Sequence, residues 1–310
     1  MPHIKYVNKL MGPKETLREH LALKRRERFA RDFTHFATQN ISFYDSKYVA
    51  GFAFDGDTAR MLISGIPEKE SFDYIFQYLK SKNLMRDAAL DIGANYGLIS
   101  LNLAKHYKNV FCFEPHPVVL EILKFNIEQN NAHKTIKIFD VGLSSQEDEL
   151  ALLDHKAHNI GGSTFEGKNV KTDPSIIKKY VCKVLPLDAI PEVRAQKIGL
   201  IKIDAEEHEL HVLQGAKQTI QENMPVILME DWDSRNGVES EAIKFLKALG
   251  YKTFLVPVKY PQRKTSKNKV LNYFYRAKKI ATLLTKGEQH VLEECDFSST
   301  KGYEMIIVHA

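Results

Sequence analysis

The chain has 310 residues, of which 44% are hydrophobic and 27% are charged, and its formal net charge is +5. This composition is typical of a globular protein, and the interrupted apolar runs fall short of the roughly 20 residues that a membrane-spanning helix needs. Three widely spaced cysteines match neither a disulfide framework nor a zinc-site spacing. Because the first residues also lack the apolar core of a signal peptide, we expect a cytoplasmic protein.

The chain is predicted to divide into an N-terminal extension, residues 1–65, and a larger domain, residues 66–310. In the extension, the apolar spacing predicts a charged helix over 14–37, and alternating aromatic residues predict a small β unit over 41–63. A further amphipathic helix is predicted over 68–81, at the start of the larger domain.

Short apolar runs then alternate with amphipathic helices. Strands are predicted at 88–90, 110–113, 135–139, 199–203 and 225–229, with helices at about 98–107, 117–130, 207–222 and 238–249. Such alternation is typical of parallel strands joined by right-handed crossovers. Two more strands are predicted at 251–258 and 303–309. The sequence therefore predicts an α/β fold, a doubly wound and mostly parallel seven-stranded sheet. It would carry a long connection at 141–198 and a basic insertion at 259–302.

The most informative segment joins the first of these strands to its helix. Asp91 ends the strand, and a turn that starts at Gly93 and ends at Gly97 permits backbone angles and close approaches that a Cβ would block. Dinucleotide enzymes have a glycine where Asn95 stands here, and a carboxylate at Asp91 would repel a pyrophosphate. An acid suits a ligand with an ammonium and a sulfonium. Asp91, Gly93, Ala94, Asn95 and Gly97 are therefore predicted to bind S-adenosylmethionine.

Acidic residues also end the second and third strands. Glu114, 23 residues after Asp91 and followed by Pro115, is placed to accept both ribose hydroxyls of a nucleoside. Asp140, followed by Val141, is placed where the adenine amino group is expected. Three successive strands that each end in an acid favour a nucleoside site over the alternative, in which these are solvated loop carboxylates.

With these motifs the sequence resembles the FkbM family of methyltransferases. The matching stretches cover roughly residues 66–235 and follow the family's order: DIGANYGLIS, FEPHP, DVGLSS, NIGGST, LPLDAI, IKIDAEEHELHVLQGA and PVILMED. The resemblance implies a class I, Rossmann-like methyltransferase that uses S-adenosylmethionine. It also implies O-methylation of a hydroxyl, often on a sugar or a polyketide-like natural product. One position departs from the pattern, since Glu207 stands where the family usually has glycine.

Candidates for the chemical step gather where the fourth and fifth strands end: Lys202, Asp204, Glu206, His208, Glu209, Glu230 and Asp231. A hydroxyl is a weak nucleophile, so a base is expected close to the transferred methyl group. Asp204, Glu206, His208 and Glu230 are predicted to be catalytic, and Asp204 is also expected to contact the cofactor. A divalent cation held by Asp204 with Glu230 or Asp231 is the less favoured alternative.

Ser163 and Thr164 follow a pair of glycines and are predicted to fold over the cofactor and contact the acceptor, although a plain turn explains them equally well. Asp231 and Trp232 are the other predicted acceptor contacts, with Trp232 stacking on a sugar face or packing in the core. Asp188, in the segment LPLDAI, is predicted to cap a helix or lie in a turn.

The basic insertion bears on the partner. Residues 259 to 286 include nine Lys or Arg and no Asp or Glu, which favours an anionic acceptor among small molecules and glycans. Two alternatives remain open. One is an RNA methyltransferase, which the basic segments would suit. The Asn/Asp-Pro-Pro-aromatic motif of base-methylating enzymes is absent, which leaves methylation of the ribose. A non-catalytic protein that binds S-adenosylmethionine is the other.

Overall fold

A computed structural model of the chain describes residues 49–51, 58, 69–155, 162–165, 177–231, 234, 238–260, 289–297 and 303–310. The predicted helix over 14–37, most of the predicted β unit over 41–63, most of the basic insertion and Trp232 lie outside these residues. No helix in the described ranges is long and apolar enough to cross a membrane.

Within the described residues, the elements follow one another in this order: α1 (Lys69–Ser81), β1 (Ala88–Ile92), α2 (Leu98–Leu103), β2 (Asn109–Phe113), α3 (Pro117–Gln129), β3 (Ile136–Phe139), β4 (Gly142–Leu143), β5 (Asp148–His155), β6 (Thr164–Phe165), β7 (Ile177–Leu185), a 3-10 turn (Leu187–Ala189), α4 (Pro191–Arg194), β8 (Ile198–Ile203), α5 (Glu209–Gly215), α6 (Lys217–Asn223), β9 (Val226–Asp231), α7 (Glu241–Ala248), β10 (Thr253–Tyr260), β11 (Gln289–Glu294) and β12 (Tyr303–His309).

The main sheet has the strand order β11-β10-β12-β9-β8-β1-β2-β3. The five strands from β9 to β3 pair in parallel, and β12, β10 and β11 add antiparallel pairs at the other side. The predicted doubly wound, mostly parallel sheet is therefore confirmed. The predicted count of seven strands is wrong, because β11 lies inside the supposed insertion at 259–302 and pairs with the second half of β10.

Both faces of the parallel strands are covered, which explains their continuous apolar runs. All residues of β1 and β8 are buried. Leu90 and Ile92 belong to the core on one face, while Ala89 packs on the other face with Phe72 and Phe76 of α1. The predicted apolar side of the helix over 68–81 is thus the side that covers the sheet.

The connection at 141–198 is a structure of its own, a second sheet with the strand order β4-β7-β5-β6. Its main part is the antiparallel pair of β5 and β7, which runs from Asp148 opposite Val184 to His155 opposite Ile177. Because this sheet follows directly on β3 and leads back to β8, it lies at the carboxyl ends of the main strands.

The helix predicted over 207–222 is two helices, α5 and α6, separated at Ala216. Asp188 explains the break. Its carboxylate accepts hydrogen bonds from the backbone N–H groups of Gln218 and Thr219, at 2.8 and 2.9 Å. These first-turn N–H groups have no partner within a helix, so an outside acceptor lets α6 begin anew. The prediction that Asp188 caps a helix is confirmed.

Candidate functional site

A cleft opens at the carboxyl ends of β1, β2 and β8, beneath the second sheet. The empty space in it is about 650 Å3, counting the solvent-filled mouth. The residues that line it are Ile92, Gly93, Asn95, Phe113, Glu114, Pro115, His116, Val119, Gly142, Leu143, Leu152, Ser163, Phe165, Asp204, Ala205, Glu206 and Val212. A few polar side chains among mostly apolar walls suit a nucleoside-sized ligand.

The turn between β1 and α2 forms the floor of this cleft. Gly93 has a φ of +71°, and a Cβ added there would lie 1.8 Å from the carbonyl oxygen of Asp204. Gly97 has a φ of +81°, and a Cβ there would lie 2.5 Å from the side chain of Leu123. Both glycines are therefore needed, and the close approaches that require them are to the residue after β8 and to α3.

A buried charged cluster lies under the turn. The Asp91 side chain is fully buried, accepts a hydrogen bond from Ser100, and has an oxygen 3.4 Å from Nζ of Lys202. Lys202 also lies 3.4 Å from a carboxylate oxygen of Asp204 and donates to the carbonyl of Gly93 at 2.9 Å. Burial lowers the pKa of Lys202, but Asp204 and Asp91 outweigh it, so the pKa is raised and Lys202 stays charged.

The structure therefore places Asp91 beneath the predicted cofactor site and not on the cleft surface. Asp91 and Lys202 are direct partners across the β1–β8 pair. Together they tie the glycine turn to β8, and they act on a ligand through the position of the backbone.

Glu114 faces the cleft and is held from behind. One carboxylate oxygen accepts the backbone N–H of Asn95 and the other accepts that of His116, each at 2.8 Å. A carboxylate offers about four lone-pair positions, so each oxygen can take one further donor. Burial raises the pKa of Glu114 to about 7, even though these hydrogen bonds act in the opposite direction. This arrangement is suited to two neighbouring hydroxyl donors, as on a ribose.

Asp204 and Glu206 stand at the opposite side of the same cleft. The Asp204 side chain is 37% exposed, so it is accessible from solvent, whereas Asp91 is not. Glu206 and Glu207 both have positive φ, +48° and +71°, in the loop between β8 and α5. Glu207 is exposed, and its left-handed backbone explains why glycine is usual at this position in the family that the sequence resembles.

His208 lies behind the cleft wall. Its ring packs 5.1 Å from the ring of Phe165, which lines the cleft, and 4.6 Å from the ring of His211. Its Nε2 shares a hydrogen bond of 3.1 Å with the hydroxyl of Ser144. Burial, with a smaller contribution from His211, lowers the pKa of His208 to about 4. His208 is therefore neutral near pH 7, and it does not line the cleft.

Several other predicted residues lie apart from the cleft lining. Asp140 is exposed beyond β3, and Val141 packs against the main core. Glu230 and Asp231 end β9, where Asp231 is buried and accepts a hydrogen bond from Ser234. Thr164 lies in β6, next to the cleft-lining Ser163 and Phe165.

Ala94 and Glu209 hold the local structure. Ala94 is buried, and its N–H donates to the carbonyl of Phe113. Glu209 accepts the N–H of Ala205 at 3.1 Å, within the loop that carries Glu206.

In the part of the chain that the structure describes, no group of three or more His, Cys, Asp or Glu could hold a metal ion.

The sequence reasoning missed part of the cleft. The second sheet supplies Leu143, Leu152 and Phe165, whose strands were read as a connection. His116 was passed over as well, although its place directly before Pro117 marks it as the cap of α3.

Parallel strands with crossover helices, a glycine turn and a carboxylate placed for a ribose define a nucleoside-binding protein of the doubly wound α/β class. A family model described as the methyltransferase FkbM domain matches residues 91–253, which is more than half of the chain. The chain therefore belongs to the FkbM methyltransferase family, and the family implies S-adenosylmethionine as the methyl donor.

Individual relatives are more distant. Methyltransferase sdnD of Sordaria araneosa is 27% identical over 188 residues, which cover 52% of this chain and 72% of sdnD. The AMB antimetabolite synthetase AmbE of Pseudomonas aeruginosa is 24% identical over 48% of this chain, but the match spans only 8% of AmbE. The crystal structure of an FkbM methyltransferase from Methylobacillus flagellatus is 18% identical. That match covers 66% of this chain and 48% of the other, with a TM-score of 0.33.

Proposed function

We propose that the protein is an S-adenosylmethionine-dependent O-methyltransferase that acts on a hydroxyl of a sugar, a glycan or a small natural product. The observation that carries this proposal is the arrangement of acids around one cleft. Glu114 follows β2, on the side suited to a ribose, and Asp204 and Glu206 follow β8, on the other side of β1. Carboxylates near the reacting group can take the proton of a hydroxyl.

The cleft residues fit the methyl donor. Glu114 accepts the ribose hydroxyls, Gly93 and Asn95 line the floor of the turn, and Phe113, Val119 and the second sheet give apolar walls. When bound, S-adenosylmethionine supplies an electrophilic methyl group on a sulfonium. The carboxylates on both sides of the cleft provide the negative charge that stabilises a cationic ligand.

Asp204 is the proposed base. Its side chain is partly exposed to the cleft and lies 3.4 Å from Nζ of Lys202, and a carboxylate in such a place is a group that can accept the proton of a hydroxyl. Asp204 also orients the acceptor, because it accepts the hydrogen bond of the hydroxyl O–H and leaves the lone pairs of that oxygen free to attack the methyl group. Glu206 lines the same cleft and is the second candidate for the base. His208, neutral and behind Phe165, is disfavoured as the base.

Ser163 is the proposed acceptor contact. It lines the cleft beside Phe165, so a hydroxyl and an aromatic ring face the acceptor together, an arrangement suited to a partly polar small molecule or sugar. Of the other predicted contacts, Asp231 is buried and accepts a hydrogen bond from Ser234. Trp232 lies outside the described residues.

The proposal is tested by following a labelled methyl group. The protein is incubated with S-adenosylmethionine that carries a deuterated methyl group and with panels of sugars, glycans and phenolic or aliphatic alcohols. Mass spectrometry detects transfer, and NMR locates the new bond. We expect a methyl ether on oxygen. Transfer to nitrogen or carbon would overturn the O-methyltransferase proposal, and turnover on RNA alone would overturn the proposed class of acceptor.

Asp204→Asn separates chemistry from binding. With an acceptor from that screen, we expect the variant to lose about 100-fold or more in kcat, because removal of a general base costs roughly 10²–10⁴. Its Kd for S-adenosylhomocysteine, measured by calorimetry, should stay within about threefold of the wild-type value. Glu207→Gln, which changes an exposed carboxylate of the same loop, is the control. Equal kcat in both variants would rule out Asp204 as the base.

A further inference from the structure

His116 carries a buried donor that the fold does not use. Its Nδ1 caps α3 and accepts the backbone N–H groups of Val118 and Val119, at 3.1 and 3.3 Å. A ring nitrogen that accepts hydrogen bonds carries no proton, so in the neutral ring the proton is on Nε2. Burial lowers the pKa of His116, which keeps the ring neutral. The side chain is 3% exposed, and its Nε2 has no hydrogen-bond partner among the described residues.

An acceptor stands beside this donor without bonding to it. A carboxylate oxygen of Asp154 lies 3.8 Å from Nε2 of His116, which is too far for a hydrogen bond. The ring of Tyr180 packs against His116 with 4.7 Å between the ring centroids. Donor and acceptor are thus side by side. A buried donor without a partner reduces the stability of the protein, and a bound ligand that accepts its hydrogen bond removes this cost.

His116 belongs to the wall of the cleft, and Asp154 lies directly beside it. His116 lines the cleft next to Glu114 and Pro115. Asp154 is two residues after Leu152 on β5, so their side chains share one face of the second sheet, and Leu152 also lines the cleft. The same face reaches the end of β2 through Cys182, whose thiol lies 3.2 Å from the carbonyl of Pro115.

An adenine base offers the complementary pattern, a ring nitrogen that accepts a hydrogen bond next to an exocyclic amine that donates one. We propose that His116 and Asp154 recognise the adenine of the methyl donor, His116 donating from Nε2 to a ring nitrogen and Asp154 accepting from the exocyclic amine. This inference rests on the proposed use of S-adenosylmethionine. It assigns to the second sheet the role that the sequence suggests for Asp140, which is exposed, whereas the Asp154 side chain is mostly buried beside His116.

The test compares two ligands that differ only in the base, S-adenosylhomocysteine and its inosine counterpart. Inosine has an oxo group in place of the amine and a proton on the neighbouring ring nitrogen, so it reverses the pattern. Calorimetric Kd values are measured for the wild-type protein, Asp154→Asn and His116→Asn. Asparagine at 116 can still cap α3 but cannot place a donor where Nε2 lies. Asp148→Asn, an exposed acid on the same strand, is the matched control.

We expect the wild-type protein to prefer the adenosine ligand by at least about tenfold, since mismatched buried polar groups are strongly disfavoured. Asp154→Asn should reduce this preference to within about threefold, because its amide can donate to the oxo group. His116→Asn should weaken binding of the adenosine ligand about tenfold with an unchanged circular dichroism spectrum. Asp148→Asn should match the wild-type protein.

The outcomes separate the two proposals. If the wild-type protein binds neither ligand, the proposed cofactor falls, and this inference falls with it. If the wild-type protein prefers the adenosine ligand and Asp154→Asn keeps that preference, only this inference is overturned. If Asp140→Asn loses the preference and Asp154→Asn keeps it, the adenine is recognised by Asp140, after the end of β3. Should His116→Asn fail to fold, the ligand preference of Asp154→Asn decides alone.

Discussion

Two layers of charged side chains lie at the same edge of the main sheet, and they differ in what they face. The inner layer, Asp91 with Lys202, is buried under the glycine turn and bonded to the protein itself. The outer layer, Glu114 with Asp204 and Glu206, lines the cleft. An acid at the end of a strand can therefore either hold a turn in place or face a ligand, and the difference is whether its side chain lines the cleft.

The largest expected effect is on the inner layer. Lys202→Met leaves Asp91 buried without its cationic partner, so we expect the free energy of unfolding to fall by about 3–5 kcal/mol. Urea unfolding followed by circular dichroism measures it. The control is Lys108→Ala, which removes an exposed pair with Asp87 and should leave the free energy of unfolding nearly unchanged.

A double variant sharpens this test. Asp91→Asn combined with Lys202→Met removes both buried charges, and it should recover part of the stability that Lys202→Met alone has lost. If Lys202→Met costs no more than Lys108→Ala, the inner layer does not stabilise the turn.

The next effect is on the outer layer. In the proposed site, ribose hydroxyls would donate to an ionised Glu114, whose pKa in the unliganded protein is about 7, so binding below pH 7 would require loss of a proton. We expect the affinity for S-adenosylhomocysteine to fall about 30-fold from pH 8 to pH 5.5, the ratio expected for one group with this pKa. Calorimetry in two buffers of different ionisation enthalpy detects the proton release.

Glu114→Gln provides the reference for that profile, because its amide does not titrate and its affinity should change much less over the same range. Stability depends on pH in the opposite direction. Since the pKa of Glu114 is raised from its ordinary 4.5, the native state keeps a proton that the unfolded chain loses. The contribution of Glu114 to stability therefore declines as the pH rises from about 4.5 to 7. A wild-type affinity profile as flat as that of Glu114→Gln would contradict the assigned role.

The smallest effect is expected in the loop that carries the outer layer. Glu207→Gly removes the strain of a left-handed backbone at an exposed residue. We expect the free energy of unfolding, measured by thermal unfolding, to rise by about 0.5–1 kcal/mol. Asn83→Gly is the comparison, because Asn83 also has a positive φ but asparagine tolerates it. A loss of stability in Glu207→Gly larger than in Asn83→Gly would show that the Glu207 side chain makes a stabilising contact.

The parallel half of the main sheet could be predicted because its signals are local. Each of its strands is an apolar run bounded by a helix or a turn. The second sheet and β11 were missed for the opposite reason. The residues of β7, IKKYVCKVL, mix lysines with apolar residues, and β5 pairs with β7 across a long stretch of sequence. Such pairing depends on tertiary contacts that no local pattern reports.

The candidate site was predicted in the same uneven way. Gly93, Asn95, Glu114, Asp204 and Glu206 were all expected at the site, and they line one cleft. The position of Asp91 could not be foreseen, because it depends on the pairing of β1 with β8. That pairing places Lys202, more than a hundred residues later, beside it. His116 and Asp154 depend on the second sheet, so no sequence signal brought them together.

The missing Cβ of Gly93 has a consequence for how acceptors are aligned. Only a hydrogen separates the floor of the cleft from the peptide oxygen of Asp204, and the N–H of Asp204 donates to the carbonyl of Ile92. The main chains of the turn and of Asp204 are therefore packed directly on each other. In the proposed methyl transfer, the alignment of the methyl donor with Asp204 would then be set by the main chain and would not depend on the acceptor that is bound.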